Sequence, residues 1–188
     1  MSFIQSYKDI IYYGIYKISI IIIFFIIFAD NFTEKMSIFK DLEPKIVSIC
    51  NNKADSRDTK MQKICDLLQL EVSHYNWVGF YFADHESKTL HLGAFAGEPT
   101  DHTVIPFGKG ICGQVAVSNQ NFVVPDVKAQ DNYIACSITV KSEIVVPLFV
   151  NGINIGQIDI DSHTLNPFTK EDESFLEFVN QEVSKLFS

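Results

Sequence analysis

Residues 143–150 and 153–162 form two apolar runs separated only by Asn151-Gly152, a dipeptide favoured in the two-residue turns of β-hairpins. That spacing commits this part of the chain to a pair of antiparallel strands. The second run ends Gln157-Ile-Asp-Ile-Asp, so the two-residue period of a strand sends Asp159 and Asp161 to one face and Ile158 and Ile160 to the other. Two like charges on one strand face inside an apolar domain are costly unless they are exposed or bind something cationic. A solvated sheet end and a cation-recognising site both satisfy that condition. Just upstream, Glu143 opens the first run and Cys136 sits in a short Ile-Ala-Cys stretch. A thiol and a carboxylate thus flank the start of a buried strand.

Strand periodicity recurs at 77–82 and 89–95, joined by the polar stretch Asp84-His85-Glu86-Ser87. In the first of these, Trp77, Gly79 and Tyr81 share one face and Val78 and Phe80 the other, which predicts a strand covered on both sides. Trp77 and Tyr81 fit either ordinary core or the wall of a ligand cavity. Residues 103–107 and 121–125 read as further short strands. Two amphipathic stretches precede the strands, one through Ile38, Phe39, Leu42, Ile46 and Ile49 and one through Met61, Ile64, Cys65, Leu68 and Val72. Another helix follows Gly108-Lys-Gly-Ile-Cys-Gly. A last one starts near Thr169, with Asp172 three positions on as a relative of the capping box and Phe175, Phe178, Val179, Val183 and Leu186 as its apolar stripe. These elements make an α+β domain with a central sheet. Cys112 falls in or just before the first turn of the glycine-led helix, a placement that lowers thiol pKa values. Cys50 and Cys65 lie on or beside apolar helix faces and read as inert core.

Composition narrows the function classes. A formal charge of -8 over 188 residues argues against nucleic acid or anionic lipid as a partner. The four cysteines, at positions 50, 65, 112 and 136, form no CxxC or CxxxC pair and have no histidine at finger-like spacing, so no metal is expected and the thiols read as reduced. The length suits one well-packed domain, at 36–188, with a short extension at 1–35. That extension contains IIYYGIYKISIIIIFFIIFAD, whose uncharged core at 18–29 is shorter than the roughly 20 residues of a spanning helix. Met36 as the true start gives a cytoplasmic protein; a signal anchor at 10–29 is the alternative. With Lys8 and Lys17 inside, an anchor would send the cysteine-bearing domain across the membrane, where a reductively recycled thiol is poorly placed.

The series WVGFY, FGKGICG, VVPDV, IAC, KSEIVVP and IDIDS, in this order and at these intervals, resembles the free methionine-(R)-sulfoxide reductases, a family of single GAF-domain enzymes. The resemblance runs from about Ile38 to the C-terminus. It implies a GAF domain with a central six-stranded antiparallel sheet flanked by helices, a homodimer, and reduction of free methionine sulfoxide with no metal or organic cofactor, electrons coming from thioredoxin or a similar reductant. It also implies Cys136 as the catalytic thiol, left as a sulfenic acid after attack on the sulfoxide, and a second cysteine that condenses with it. Glu143, Asp159 and Asp161 match the acidic substrate-site positions, and Trp77 and Tyr81 the aromatic wall. One functional position departs from the pattern. The family commonly carries a further cysteine before GKGxCG, and counting back from Cys112 puts His102 there. Recycling then falls to Cys112, with His102 a candidate modulator of the Cys136 pKa; a GAF module that binds without efficient chemistry is the alternative function.

Overall fold

The computed structural model describes residues 38–130 and 139–187; residues 1–37, with the apolar extension, and 131–138, with Cys136, lie outside the described residues. Among the described residues no helix is long and apolar enough to cross a membrane. Helix α1, described over residues 38–51, and α2, Arg57–Glu71, lead into strands β1, Trp77–Asp84, β2, Thr89–Ala96, and β3, Val104–Pro106. Helix α3, Gly110–Ser118, precedes β4, Phe122–Val124, β5, Ser142–Val150, and β6, Ile153–Ser162; α4, Lys170–Ser184, closes the domain.

The strands form one antiparallel six-stranded sheet in the order β3-β2-β1-β6-β5-β4. The β5–β6 hairpin turns on Asn151 and Gly152, both at positive φ (51° and 80°), as its two-residue turn requires. Strand β1 lies between β2 and β6, with Trp77 opposite Asp161, Gly79 opposite Asp159 and Tyr81 opposite Gln157. Across β6, Glu143 stands opposite Asp161. Period-two alternation therefore gathers Trp77, Tyr81, Glu143, Asp159 and Asp161 on one face. The other face carries Val78, Phe80, Ile144, Val146, Ile158 and Ile160, all essentially inaccessible. Helices α2 and α4 pack against the sheet and cover that apolar face, whereas Ile111, Cys112 and Val115 of α3 join Trp77, Tyr81 and Val145 in the core on the site side. Both faces of β1 are covered, as its residue pattern predicts.

The short strand expected at 103–107 is observed over Val104–Pro106, with Thr103 O and Phe107 N still bonded to Leu92 N and Lys88 O. In α4 the buried stripe is Phe175, Leu176, Val179 and Val183, with Phe178 and Leu186 only half-buried. Asn180 shares that stripe because its Nδ2 donates to the carbonyls of Val146 and Pro147, at 2.9 and 3.1 Å.

Asp172 does more than cap α4. Its Oδ2 accepts from the backbone N and Oγ1 of Thr169, both at 2.7 Å, while Oδ1 meets His74 Nε2 at 2.6 Å and Tyr75 Oη at 3.3 Å. Burial alone would raise this carboxyl, but the bonds from His74 and Thr169 outweigh burial and hold it at about 2. A depressed carboxyl adds stability that is fully present above its unfolded value near 3.8 and is lost as pH falls toward 2. Asp172→Ala leaves His74 and Tyr75 without this buried acceptor and is expected to cost about 3 kcal/mol, read as a lower urea midpoint at pH 7 and a flatter stability profile between pH 4 and 2.

Candidate functional site

The site lies where β1, β6, the loop after β2 and residues 139–140 meet, with α3 packed against β5 and β6 beside it. Its main cavity, about 120 Å3, is lined by Trp77, Tyr81, Glu98, Thr139, Asp159 and Asp161, together with Asn76, Pro99, Thr100, Val140 and His163. A second, smaller cavity of about 50 Å3 is lined by His102, Lys109, Cys112 and Glu143, with Val104 and Pro106 among its apolar walls. Cys112 stands between the two, in the first turn of α3 as its sequence position predicts: its Sγ donates to Asp159 Oδ2 at 3.2 Å and approaches Glu143 Oε1 at 3.9 Å.

The three acids are buried, with only 3, 2 and 3% of Glu143, Asp159 and Asp161 exposed. The solvated sheet end is thereby excluded for Asp159 and Asp161. Burial raises the Asp159 carboxyl to about 7, even though Cys112 and Glu143 hydrogen-bond to it. Glu143 is pushed well above its ordinary range by burial and then by the adjacent charges of Asp159 and Asp161, and Asp161 by burial and then by Asp159. No two of these groups ionise independently, and at neutral pH the cluster retains protons. The Oδ1 atoms of Asp159 and Asp161 are buried without a hydrogen-bond partner among the described residues. The cluster therefore presents acceptors, and at least one carboxylic O–H, to whatever enters.

Beside the acids, on the adjacent strand β1, stands the aromatic wall. The Trp77 and Tyr81 ring centroids are 6.3 Å apart, and Phe95 stacks behind Trp77 at 5.8 Å. Trp77 Nε1 donates to the Glu98 carbonyl at 3.1 Å, and Tyr81 Oη donates to the His102 carbonyl at 2.9 Å. Both aromatics thus serve the cavity and the core at once. His102 reaches the site through that backbone bond and as a wall of the smaller cavity.

Gly79 is what lets Trp77 lie down. A Cβ at position 79 would sit 2.1 Å from the indole Cη2 atom and 2.5 Å from Cζ3, so the six-membered ring occupies the space a side chain would need. Gly79→Ala displaces the indole into the cavity or away from it. A loss of about 1–3 kcal/mol in stability is expected from denaturant titration, together with roughly tenfold weaker binding of a ligand seated against the indole.

All the described members of the expected site converge: Trp77, Tyr81, Glu143, Asp159, Asp161, Cys112 and His102 border the two cavities. Cys136 lies outside the described residues. Sequence reasoning missed Asn76 and Glu98. Asn76 follows the acceptor pattern of a strand entry, its Oδ1 taking the His163 N–H at 2.7 Å, and Glu98 contributes its carbonyl from the loop after β2. The sequence marks this loop only by Gly97 and Pro99 around Glu98; the structure shows why position 97 is glycine, with φ at +120° and a Cβ that would meet Trp77 Cδ1 at 2.8 Å.

The sequence profile of the GAF domain matches residues 54–186. Among characterised relatives, the free methionine-R-sulfoxide reductase of Escherichia coli is 39% identical over 122 residues, covering 65% of this chain and 72% of the relative. The protein of the same name from Saccharomyces cerevisiae is 42% identical over 112 residues, covering 58% and 62%. The chain thus spans about two thirds of the length of these relatives. Among solved structures, the free methionine-R-sulfoxide reductase of Neisseria meningitidis, in complex with its substrate, superimposes with a TM-score of 0.74 at 36% identity, over 79% of this chain and 87% of that one.

Proposed function

The chain belongs to the GAF domain family, among the free methionine-R-sulfoxide reductases, and on that premise we propose that it reduces free methionine (R)-sulfoxide to methionine with thiols alone, without a metal or organic cofactor. The observation that carries this reading is the buried trio Glu143, Asp159 and Asp161 beside the Cys112 thiol and on the same sheet face as Trp77 and Tyr81. A free amino acid brings an ammonium group that offsets the buried negative charge; a peptide-bound methionine sulfoxide has none. The sulfoxide oxygen needs a hydrogen-bond donor, and a carboxyl held protonated by burial among like charges supplies one.

In this reading Cys136 is the nucleophile. Cys136 precedes by three positions in the sequence Thr139, which lines the main cavity. Its sulfur attacks the sulfoxide sulfur, the S–O bond breaks, and the oxygen remains on Cys136 as a sulfenic acid while the substrate sulfur, reduced by two electrons, departs as methionine. Cys112 then attacks the sulfenic sulfur, expelling the oxygen as water and forming the Cys112–Cys136 disulfide. Asp159, 3.2 Å from Cys112 Sγ and titrating near 7, accepts the Cys112 proton in that step. A thioredoxin-type dithiol returns the two electrons by exchange. The enzyme works as a cytoplasmic homodimer in this reading.

The test is NADPH consumption with thioredoxin, thioredoxin reductase and free methionine (R)-sulfoxide. Steady turnover by the wild type that disappears in Cys136→Ser is expected; absence of turnover in the wild type, or full turnover in Cys136→Ser, removes the reading. A second reading follows from His102, which stands where the family commonly has its recycling cysteine: a GAF module that binds the sulfoxide without reducing it. Calorimetric binding with no turnover would select it.

A further inference from the structure

We propose that Cys112, Glu143 and Asp159 together form a binding site for a borderline-soft divalent cation of the zinc class. One ligand atom from each of these three residues lies within 4.8 Å of the others. The spacing is that of a coordination shell. A tetrahedral zinc ion with a thiolate at about 2.3 Å and carboxylate oxygens near 2.1 Å sets its sulfur–oxygen separations at about 3.6 Å. The observed separations from Cys112 Sγ, 3.2 Å to Asp159 and 3.9 Å to Glu143, bracket that value.

A second observation points to a missing cation. Asp159 Oδ1 and Asp161 Oδ1 are buried in residues only 2 and 3% exposed and have no hydrogen-bond partner among the described residues. Buried carboxyl oxygens left this way are costly unless a proton or a cation reaches them; Asp159 is itself one of the three ligands and Asp161 stands two residues along the same strand face. The donor set selects the cation. A thiolate beside two carboxylates suits zinc, or cadmium as its probe, whereas calcium and magnesium require shells of oxygen alone. Asp159 also lines the main cavity and Glu143 the smaller one, which leaves the fourth coordination position accessible to water from either side.

Binding exchanges the Cys112 thiol proton and the protons held by the two acids for the metal. A coordinated Cys112 sulfur no longer attacks a sulfenic acid, so the occupied site halts recycling. The proposal does not depend on the reductase reading, because metal binding is read on the resting protein without substrate.

The experiment titrates the reduced, chelator-treated full chain with cadmium, following the ultraviolet thiolate-to-cadmium charge-transfer band and the calorimetric stoichiometry, with zinc as competitor. One ion per chain is expected, with a band displaced by zinc, abolished in Cys112→Ser and retained in Cys136→Ser. Asp159→Asn keeps the band and weakens binding at least about tenfold, which tests the site in a variant that retains the thiol. Circular dichroism establishes that each variant is folded. No band in the wild type, a band that survives Cys112→Ser, or affinity unchanged in Asp159→Asn overturns the assignment.

Discussion

Asp159→Asn is expected to give a protein that is more stable than the wild type at pH 8 and at least a hundredfold slower. Burial raises the Asp159 carboxyl from 3.8 to about 7, so between those values the folded state holds a proton that the unfolded state has released. Stability then falls as pH rises through this window, since the unfolded chain binds fewer protons than the native one. Well above pH 7 the full cost of the buried charge is present, on the order of 4 kcal/mol by linkage. Asparagine removes the charge while keeping the shape, and the variant should lose the downward slope between pH 4 and 7 and gain roughly 5 °C or more in Tm at pH 8. The same change removes the group that hydrogen-bonds Cys112 Sγ at 3.2 Å and offers its buried Oδ1 to the cavity. Loss of one such group in a water-poor site typically costs two to three orders of magnitude in rate, roughly 100- to 1,000-fold. Thermal melts across pH 4–8, alongside kcat/KM, check both halves. An activity loss with a wild-type pH–stability profile would show that Asp159 is not the destabilised charge.

Cys112→Ser is expected to abolish multiple turnover while leaving a single turnover intact. If Cys136 performs the chemical step, each reduced chain should still release one methionine without added reductant, measured by rapid quench. The NADPH-coupled steady state should fall by at least about a hundredfold, because the sulfenic acid then waits for an external thiol instead of a neighbour already in the site. Cys112 is only 4% exposed, so an external dithiol reaches it poorly before the disulfide forms. A small dithiol such as dithiothreitol, able to reduce the sulfenic acid directly, should restore turnover to the serine variant more than thioredoxin does. Loss of the single turnover as well would move Cys112 into the chemical step.

The contrasting behaviour of the two cysteine classes has a plain physical origin. Cys65, in α2, is fully buried, and burial raises its thiol out of the reactive range; its Sγ donates to the Ala94 carbonyl at 3.5 Å. Cys112 is nearly as buried, yet it opens α3 and points at acceptors instead of apolar side chains. Exposure alone does not distinguish these two thiols; Cys65 meets a backbone carbonyl, whereas Cys112 meets carboxyl groups.

Much of the fold was legible because it rests on local rules. The Asn151-Gly152 turn commits β5 and β6 to a hairpin, and the two-residue period of β6 puts Asp159 and Asp161 on one face. Alternation in β1 likewise determined that Trp77 and Tyr81 point the same way, and the run of small residues after Gly108 placed Cys112 at a helix start. Tertiary structure decided three things that no local rule reaches. It buried the two aspartates instead of leaving them at a solvated edge, because α3 packs over their face of the sheet. It brought Glu143 and Asp159 to Cys112 across 31 and 47 residues of chain, a grouping invisible to any search for short ligand spacings. It also revealed why position 79 is glycine, since only the folded sheet shows the Trp77 ring lying where a Cβ would be. Period and turn chemistry set which face a side chain takes; burial and electrostatics depend on what the rest of the chain packs against that face.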